Sequence, residues 1–587
     1  MNDRAGALNT ETRRRALERM ADEVFDLAVI GGGVVGAGAA LDAATRGLRV
    51  ALVDARDLAS GTSSRSSKLI HGGLRYLERA EFGLVSEALH ERRLLLERLA
   101  PHLVRPLPFL ALLHHRWERP YVASGLLLYD GMGAAIGRGL PAQRHYTRHA
   151  AMKLFPSLRH DAFRGAIRYY DAQVDDARHT MFLARTAAAY GAQLATRAQA
   201  VGFVREGEHV TGVRIVDLEA AQRRPLELRA RQTINATGVW TDDTQEMIGG
   251  RGQFHVRASK GVHLVVPRDR IHGSTALTIR TEKSVLFVIP WGRHWIIGTT
   301  DTDWHLDKGH PAASREDIDY LLDTVNRYLV TPLAPDDVEG VYAGLRPLLA
   351  GESEDSSSLS RRHIVAAPAP GLVAVAGGKY TTYRIMARDA VDAAVEGLPQ
   401  HVPASATERV PLLGAEHYLG RWNARHRIAD ASGLHVRRVE HLLHRYGGLI
   451  DDLLQLIDDD PALGEPLDGA DDYLAAEIVY AATHEGAIHL EDVLTRRTRI
   501  SIETWDRGLR AADSAARVLA KPLGWSRRQA LREVEHYRAR VAAERQSQVQ
   551  SDDLTADAAR LGAPDIAPTV PIERRPAGSP VEALRRA

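Results

Sequence analysis

The stretch Gly31-Gly32-Gly33-Val34-Val35-Gly36 decides the fold of this chain. It follows a short apolar run, Phe25 to Ile30, whose composition predicts a buried strand. The alanine-rich segment Val34 to Thr45 predicts a helix that Arg46-Gly47 closes. A second buried strand is expected at Val50 to Val53. This order of strand, turn, helix and strand predicts a parallel, doubly wound α/β sheet.

The spacing of these glycines is typical of a Rossmann-type dinucleotide site. Gly31 permits the tight turn, Gly33 lets the backbone approach a pyrophosphate, and Gly36 lets helix and strand pack closely. The helix N-terminus offers free N–H groups and a positive dipole end to the phosphates. Asp54 follows Gly36 by 18 residues, at the end of the second strand, where an acid accepts hydrogen bonds from an adenosine ribose.

Three further segments favour FAD over NAD, which the glycine turn alone does not distinguish. The serine-rich segment Gly61 to Lys68 supplies hydroxyl and backbone donors for the phosphates and the ribityl chain. Ile234 to Gly238 and Val373 to Lys379 are apolar strands that end in small residues, and a helix opens after the second. The cofactor contacts expected in these segments are Thr62, Ser63, Ser67, Ala236, Gly238, Gly378, Lys379 and Thr381.

Composition excludes several classes of protein. The formal net charge is +1, so nothing global attracts nucleic acid. The chain of 587 residues has no cysteine, which excludes disulfides, thiolate metal sites, iron–sulfur clusters and dithiol reductases. No histidine cluster indicates a metal site. With neither a secretory signal nor a run of about 18 apolar residues, a cytoplasmic location is expected.

Patterning divides the chain into four parts. Residues 1–22 form a charged, helical lead-in, and residues 23–400 carry the FAD-binding domain with an interleaved substrate-binding domain. Helical periodicity dominates residues 401–545, which predicts a separate helical domain. Residues 546–587 are polar and rich in proline, so a disordered tail is expected there.

The run Ser63 to Leu77, with His71-Gly72-Gly73-Leu74-Arg75-Tyr76 at its centre, closely resembles the signature of the FAD-dependent glycerol-3-phosphate dehydrogenases. These are aerobic bacterial enzymes that pass electrons to quinone. The likeness spans about residues 24 to 540. Other segments similar to the same family are Val174–Arg178, Ser259–His263, Ile297–Asp301, Gly344–Leu348 and Gly377–Arg384.

The resemblance implies a D-amino-acid-oxidase-like FAD domain, an interleaved antiparallel substrate-binding sheet and a C-terminal all-α cap domain. It implies oxidation of sn-glycerol 3-phosphate to dihydroxyacetone phosphate by hydride transfer to FAD, with electrons passed to a quinone. Peripheral contact with the inner face of the cell membrane and a homodimer stay open. His71 and Gly72 are further expected cofactor contacts.

A phosphomonoester carries nearly two negative charges, so its pocket needs several cations, and arginine forks suit phosphate oxygens. The cations at matching family positions are Arg75, Arg346, Arg361 and Lys379. Tyr76, Thr300 and His263 are expected to bond the substrate hydroxyls. His263 is favoured as the base, His71 as a flavin-side contact, although the two roles could be exchanged, and a positive pocket could make a base unnecessary. Arg346 completes the predicted catalytic set.

Three alternatives compete with this interpretation. One is an oxidase of the same substrate that uses O2, and another is an amine oxidase of the same fold. The third is a non-enzymatic flavin-binding protein. The adjacent acids Asp175 and Asp176 could suggest a metal or acid–base pair, but neighbouring side chains point apart. They are interpreted as a helix start with structural bonds.

Overall fold

The structure is a computed structural model that describes residues 6–72, 81–115, 117–136, 140–249, 254–281, 285–350 and 363–574. Its strands are β1 Phe25–Ile30, β2 Val50–Val53, β3 Leu69–Ile70, β4 Val104–Leu113, β5 Arg144–Thr147, β6 Gly165–Val174, β7 Gln193–Ala195, β8 Ala198–Glu206, β9 His209–Asp217, β10 Pro225–Asn235, β11 Val256–Pro267, β12 Ala276–Arg280, β13 Val285–Trp291, β14 His294–Gly298, β15 Thr302–Trp304, β16 Gly340–Leu349, β17 His363–Ala369, β18 Leu372–Gly377, β19 Pro466–Leu467 and β20 Ala470–Leu474.

The α-helices alternate with these strands up to residue 395 and dominate the chain beyond it. They are α1 Thr10–Asp22, α2 Val34–Thr45, α3 Phe82–Leu94, α4 Glu118–Ile136, α5 Arg148–Leu154, α6 Asp176–Ala189, α7 Thr241–Glu246, α8 Arg315–Asn326, α9 Tyr383–Val395, α10 Tyr418–Asn423, α11 Arg425–Ser432, α12 Val436–Tyr446, α13 Ile450–Asp459, α14 Ala475–His484, α15 Leu490–Asp492, α16 Ile500–Glu503, α17 Leu509–Leu523, α18 Arg527–Gln548 and α19 Asp553–Leu561.

The first sheet is the predicted Rossmann-type sheet. Its main path runs β17-β18-β10-β1-β2-β7, in which β18, β10, β1, β2 and β7 are parallel. All six residues of β1 are buried because helices cover the sheet, with α2 packed against α6 and α9. β8 and β9 extend the sheet as an antiparallel meander beside β10. The carboxyl ends of the parallel strands therefore meet at one edge, where the glycine turn lies.

The second sheet has ten strands and alternates along the chain with the first. Its path is β15-β11-β14-β13-β12-β4-β6-β3, with β16 paired to β11 and β5 to β6. All of these pairs are antiparallel except β4 and β12, which run parallel. The predicted interleaved sheet is confirmed, and this one parallel pair makes it mixed.

The C-terminal part is helical apart from one hairpin. β19 and β20 pair antiparallel, with Gly469 in the turn at φ +83°. The expected all-α domain therefore needs this correction. A capping box opens α18, because Ser526 Oγ accepts a hydrogen bond from the Gln529 backbone N–H and Gln529 Oε1 accepts one from the Ser526 backbone N–H. The predicted lead-in helix is also present as α1.

The prediction of a disordered tail is wrong for the part that the structure describes, up to residue 574. Helix α19 carries Asp553, which forms an ion pair with the buried Lys260 of β11. Beyond α19, the Val570 backbone N–H donates to Gln199 Oε1 at 2.8 Å, and the Glu573 N–H donates to the Val201 carbonyl at 2.7 Å. Single hydrogen bonds between the prolines hold this segment in place, and composition alone does not predict such contacts. Residues 575–587 lie outside the described residues.

Candidate functional site

A cavity of about 540 Å³ lies between the two sheets. The first sheet contributes the carboxyl ends of β1, β2, β10 and β18, and the second sheet contributes β11 and β16. The structure brings thirteen of the predicted site residues into its wall. They are Gly31, Gly33, Asp54, Thr62, Ser63, Ser67, His71, Ala236, Gly238, His263, Arg346, Gly378 and Lys379.

Each of the three motif glycines is needed for a different structural reason. Gly31 has φ +109°, and a Cβ there would lie 2.7 Å from the Ala236 carbonyl oxygen. A Cβ on Gly36 would lie 1.9 Å from the Gly31 carbonyl oxygen, so this glycine permits the close approach of helix and turn. Within the described segments, a Cβ on Gly33 would meet Ser63 Oγ alone, at 3.3 Å, and Gly33 faces the cavity. Gly33 therefore leaves space for a ligand, as a pyrophosphate requires.

Hydrogen bonds fix both ends of the glycine turn. The Val34 N–H, in the first turn of α2, donates to Ser63 Oγ at 2.9 Å. Asp54 accepts from the Gly32 N–H at 2.6 Å and from the Arg56 N–H at 2.7 Å. Burial raises the pKa of Asp54, and these two bonds oppose the rise. Each carboxylate oxygen keeps a further lone pair, which suits a ribose hydroxyl.

Several residues at the Asp54 end of the cavity were not predicted from the sequence. The Arg56 guanidinium lies 5.6 Å from the Trp240 ring centre, and both line the wall with Gln199. Thr569 and Ile572 close the same end, although they belong to the predicted tail. The apolar positions Val570 and Ile572 among prolines were the available signal. The tail is thus part of the candidate cofactor site.

The register of β11 and β16 places the candidate substrate residues on one face. His263 pairs with Tyr342, Gly261 with Gly344, and Ser259 with Arg346. Because side chains alternate along a strand, these residues share a face of the sheet. A Cβ on Gly261 would lie 2.5 Å from an Arg346 guanidinium nitrogen, so the glycine makes room for the arginine to lie across the sheet. Arg346 and His263 therefore face the same cavity.

Arg346 is held from the side by neighbouring polar groups. Its Nη1 lies 3.1 Å from Asp301 Oδ1, and its Nη2 donates to Thr299 Oγ1 at 3.0 Å. Nη2 also donates to the Thr300 carbonyl at 3.1 Å. These contacts fix the plane of the guanidinium, which is the geometry that bidentate recognition of an oxyanion requires.

His263 is a buried histidine at the cavity wall. Its Nε2 lies 2.8 Å from Ser67 Oγ, and its ring stacks on Tyr342 with centres 4.7 Å apart. Burial lowers the pKa of His263 well below its usual value, and the charges of Arg346 and Lys68 lower it further. The imidazole is therefore neutral at neutral pH, so one of its ring nitrogens carries no proton.

The segment after β18 also lines the cavity. Gly377 and Gly378 both have φ +76°, and this double turn brings Lys379 to the wall. The His71 N–H donates to Thr381 Oγ1, and Thr381 Oγ1 donates back to the His71 carbonyl, each at 3.2 Å. Thr381 thus contacts the cavity wall through His71 and does not line the cavity itself.

Three other predicted residues do not line the cavity. Gly36 lies beneath the turn, and the Gly72 N–H donates to Tyr129 Oη at 3.0 Å. Thr300 is 4% exposed, and its hydroxyl accepts from the Val262 N–H at 3.0 Å. Its hydroxyl therefore holds β11 in place. Arg75, Tyr76 and Arg361 lie outside the described residues.

The acidic pair Asp175 and Asp176 is a helix start, as predicted. Asp175 accepts from the Arg178 N–H at 3.2 Å and caps α6. Asp176 pairs with Lys68 at 2.8 Å and with Arg499 at 2.5 Å. These ion pairs join the serine-rich loop to the helical domain.

Comparison with known proteins agrees with this geometry. Residues 26–384 match the FAD dependent oxidoreductase family, and residues 405–530 match the C-terminal domain of alpha-glycerophosphate oxidase. Glycerol-3-phosphate dehydrogenase 2 of Mycobacterium tuberculosis is 59% identical over 562 residues, which cover 96% of this chain and 95% of the relative. The mitochondrial glycerol-3-phosphate dehydrogenase of Homo sapiens is 36% identical over 523 residues, covering 85% of this chain and 71% of the relative.

A solved structure extends the likeness to three dimensions. The glycerol-3-phosphate dehydrogenase from Bacillus halodurans, complexed with FAD, superimposes with a TM-score of 0.74 at 27% identity. The alignment covers 91% of this chain and 97% of that chain. The chain belongs to the FAD-dependent oxidoreductase family and, within it, to the glycerol-3-phosphate dehydrogenases.

Proposed function

We propose that this protein oxidises sn-glycerol 3-phosphate to dihydroxyacetone phosphate with FAD as cofactor and a quinone as electron acceptor. The observation that carries the proposal is the meeting of Arg346, His263 and the glycine turn in one cavity. A phosphate-binding group, a proton acceptor and a dinucleotide cradle are the parts that this oxidation needs. The names of the relatives support the same reaction.

The FAD contacts divide along the cavity. We infer that Gly31, Gly33 and the α2 N-terminus hold the pyrophosphate, and that Asp54 holds the adenosine ribose. The remainder of the cofactor is assigned to the other predicted wall residues, which are Ala236, Gly238 and those after β2 and β18. When bound, FAD supplies the acceptor for the two electrons that leave C2 of the substrate.

The substrate phosphate is assigned to the cationic side of the cavity. Arg346 presents a guanidinium that Asp301 and Thr299 hold in place, and Lys379 lies in the same wall. Arg75 and Arg361, which the family resemblance assigns to the same task, are proposed to complete the set. Two or more cations are needed because the phosphomonoester is close to a dianion at neutral pH.

His263 is proposed as the base that removes the C2 hydroxyl proton. Ser67 orients the Nε2 edge of the ring, and stacking on Tyr342 fixes its plane. A bound phosphate dianion would offset the charges of Arg346 and Lys68, which raises the proton affinity of His263 when substrate is present. His71 keeps the proposed role of a flavin-side contact.

Substrate identity is tested by turnover with an artificial dye as acceptor. The proposal predicts strong activity with glycerol 3-phosphate and a loss of at least about a hundredfold in kcat/KM with glycerol, because the charge-assisted phosphate bonds are absent. Equal turnover of the two alcohols would contradict an anion-binding pocket.

Oxygen is the second candidate acceptor, because residues 405–530 match a domain described from an alpha-glycerophosphate oxidase. Peroxide formation in air and reduction of a short-chain quinone under nitrogen separate the two. The quinone proposal predicts fast quinone reduction with little peroxide. Stoichiometric peroxide with slow quinone reduction would favour the oxidase.

Peripheral membrane contact is proposed at α4. Trp117, Tyr121, Leu127 and Leu128 are exposed there, and Leu127 is 68% exposed. Trp and Tyr beside an apolar helix face are typical of interfacial helices. On the buried face, Tyr129 bonds the Gly72 N–H beside His71, so α4 adjoins the cavity. No helix of the described segments is long and apolar enough to cross a bilayer.

Flotation with anionic liposomes tests this contact. A double substitution, Leu127→Asp with Leu128→Asp, should shift the protein from the vesicle fraction to the soluble fraction. Leu531→Asp on α18 is the matched control, since Leu531 is also an exposed leucine, with 53% exposure, and lies on a different helix. Equal vesicle recovery of the double variant and the wild type would remove α4 as the contact.

A further inference from the structure

A second cavity, of about 100 Å³, lies between the serine-rich loop, β16 and the helical domain. We call it the arginine cavity, after Arg65, Arg496, Arg499, Arg540 and Arg560 in its wall. The wall also includes the carboxylates Glu491 and Glu544. None of the predicted FAD or substrate contacts lines it. The cavity is therefore a separate feature of the molecule.

Three of the five guanidiniums have carboxylate partners. Arg496 pairs with Asp57 and Asp492, each within 2.6 Å. Arg499 pairs with Asp175 and Asp176, each at 2.5 Å. Because these carboxylates hold both guanidiniums in place, Arg496 and Arg499 are not assigned to a ligand.

Arg540 is the third paired guanidinium. It lies 3.1 Å from Glu491 Oε1, and its Nη2 also donates to His310 Nδ1 at 2.6 Å. Since Glu491 is matched by Arg540, it does not balance the two remaining arginines.

Arg65 and Arg560 form no ion pair with any carboxylate of the described residues. Arg65 Nη1 donates to the Gly309 carbonyl at 3.1 Å. Arg560 Nη1 is buried and has no hydrogen-bond partner in the described part of the chain. Glu544 is the wall carboxylate that stands against these two arginines, so the local charge stays positive. A buried guanidinium without a partner is costly unless an anion binds it.

The electrostatics of the two arginines favour binding of an anion. The pKa of Arg65 is lowered to about 10, first by burial and then by Arg560, Arg496 and Arg540. The pKa of Arg560 is also lowered to about 10, by burial and by Arg540. Both groups stay charged at neutral pH, so like charges face each other across a small polar space.

We propose that the arginine cavity binds one small inorganic oxyanion of the phosphate class between Arg65 and Arg560. The planar forks of two arginines offer paired N–H donors to a tetrahedral oxyanion. The cavity volume admits the tetrahedral group alone, and a phosphate ester with a carbon chain is excluded. Arg65 also lines the larger cavity, and its carbonyl packs against Gly344 of β16. An anion bound to Arg65 would therefore stabilise the wall of the candidate cofactor site.

Equilibrium dialysis of the FAD-loaded protein with radiolabelled inorganic phosphate tests the proposal. Dialysis is anaerobic, with and without excess glycerol 3-phosphate, which displaces any phosphate from the substrate site. One phosphate per chain should remain bound in excess glycerol 3-phosphate, and sulfate should displace it. The absence of a retained ion, or its displacement by glycerol 3-phosphate, would overturn the proposal.

Two variants assign the ion to this cavity. Arg560→Gln should raise the Kd for the retained phosphate at least about tenfold, since a charge-assisted hydrogen bond is lost. Its kcat with glycerol 3-phosphate should stay within about twofold of the wild-type value, because Arg560 does not line the substrate cavity.

Glu544→Gln removes the opposing charge and should lower the Kd for phosphate several-fold. Unchanged affinity in Glu544→Gln contradicts the proposal even when Arg560→Gln fails to fold.

The outcomes separate this proposal from the proposed reaction. A protein that does not bind glycerol 3-phosphate would keep phosphate in both sites, and Arg560→Gln would still remove one of them. In excess glycerol 3-phosphate, which occupies the substrate site, phosphate should also raise the Tm of the wild type by a saturable amount and leave that of Arg560→Gln unchanged. An equal rise in both proteins would place the ion elsewhere.

Discussion

At the scale of single residues, Gly33 separates cofactor binding from folding. Among the described residues, a Cβ at this position meets Ser63 Oγ alone, at 3.3 Å, and the end of a serine side chain can shift by the few tenths of an ångström needed. We expect Gly33→Val to fold but to lose FAD, because the isopropyl group fills the space of the pyrophosphate. The ratio of flavin to protein absorbance after purification, with a far-ultraviolet circular dichroism spectrum, measures both properties.

Gly36→Ala is the contrasting control. Its Cβ would lie 1.9 Å from the Gly31 carbonyl oxygen, which is backbone and does not rotate away. This variant should lose soluble folded protein along with the cofactor. A Gly33→Val protein that keeps a full complement of FAD would mean that the pyrophosphate lies elsewhere.

Arg346→Ala should raise the KM for glycerol 3-phosphate about 10- to 100-fold while FAD stays bound, because charge-assisted hydrogen bonds of about 1.5–3 kcal/mol are lost. Steady-state kinetics with a dye acceptor and a flavin spectrum measure the two effects. Arg293→Ala is the control, since Arg293 is a strongly exposed arginine whose long ion pair with Asp472 is 3.4 Å. Loss of FAD from Arg346→Ala would show that Arg346 contacts the cofactor.

His263→Asn should lower kcat about 10²- to 10⁴-fold, which is the usual contribution of a general base. FAD content should stay unchanged. Ser67→Ala removes the hydroxyl that lies 2.8 Å from His263 Nε2 and should lower kcat less while altering its pH profile. Stopped-flow flavin reduction measures the chemical step directly. An unchanged rate in His263→Asn would transfer the role to His71 or favour a site without a base.

At the scale of elements, local patterns were predictable and long-range contacts were not. The boundaries of β1, α2 and β2 match the sequence prediction because the glycine turn and the apolar runs are local signals. The placement of Thr300 was harder to predict, since Thr300 was expected at the substrate but its hydroxyl accepts a hydrogen bond from the Val262 N–H. Thr300 lies between β14 and β15, and the antiparallel pairing of both strands with β11 sets its position, which no neighbouring residue encodes.

The segment after α19 was mispredicted for the same reason. Its composition is that of a linker, yet Ile572 lines the cofactor cavity. We expect Ile572→Asp to weaken FAD binding about tenfold, since a carboxylate beside the adenosine end loses apolar contact and adds charge. Pro568→Asp, at an exposed position of the same segment, is the control. Titration of apoprotein with FAD measures both. Equal affinities would mean that the segment lies away from the cofactor.

At the scale of the whole molecule, His489 joins two regions. Its Nε2 lies 3.0 Å from Glu219, in the loop after β9, and its Nδ1 lies 2.9 Å from Glu533 of α18. Burial opposes protonation of His489, but the hydrogen bonds with Glu219 and Glu533 outweigh it and raise its pKa to about 9. The histidine is therefore charged at neutral pH and links the first sheet to the helical domain.

This linkage predicts a pH-dependent stability. The folded pKa of about 9 exceeds the usual value, so the stabilisation is complete below pH 6.5 and is lost as pH rises through 9. It amounts to at most about 3 kcal/mol. The Tm should fall more between pH 6.5 and 9 in the wild type than in His489→Gln. His305→Gln, at an exposed position, should keep the wild-type slope. Parallel curves for all three proteins would refute the linkage.

One cavity is proposed to bring glycerol 3-phosphate to FAD. The most direct measurement is the visible flavin spectrum of the purified protein under nitrogen, before and after addition of glycerol 3-phosphate. The geometry of Arg346, His263 and the glycine turn predicts rapid bleaching of the flavin with glycerol 3-phosphate and none with glycerol. A spectrum that stays unchanged with glycerol 3-phosphate would contradict the claim and favour a flavin-binding protein without this activity.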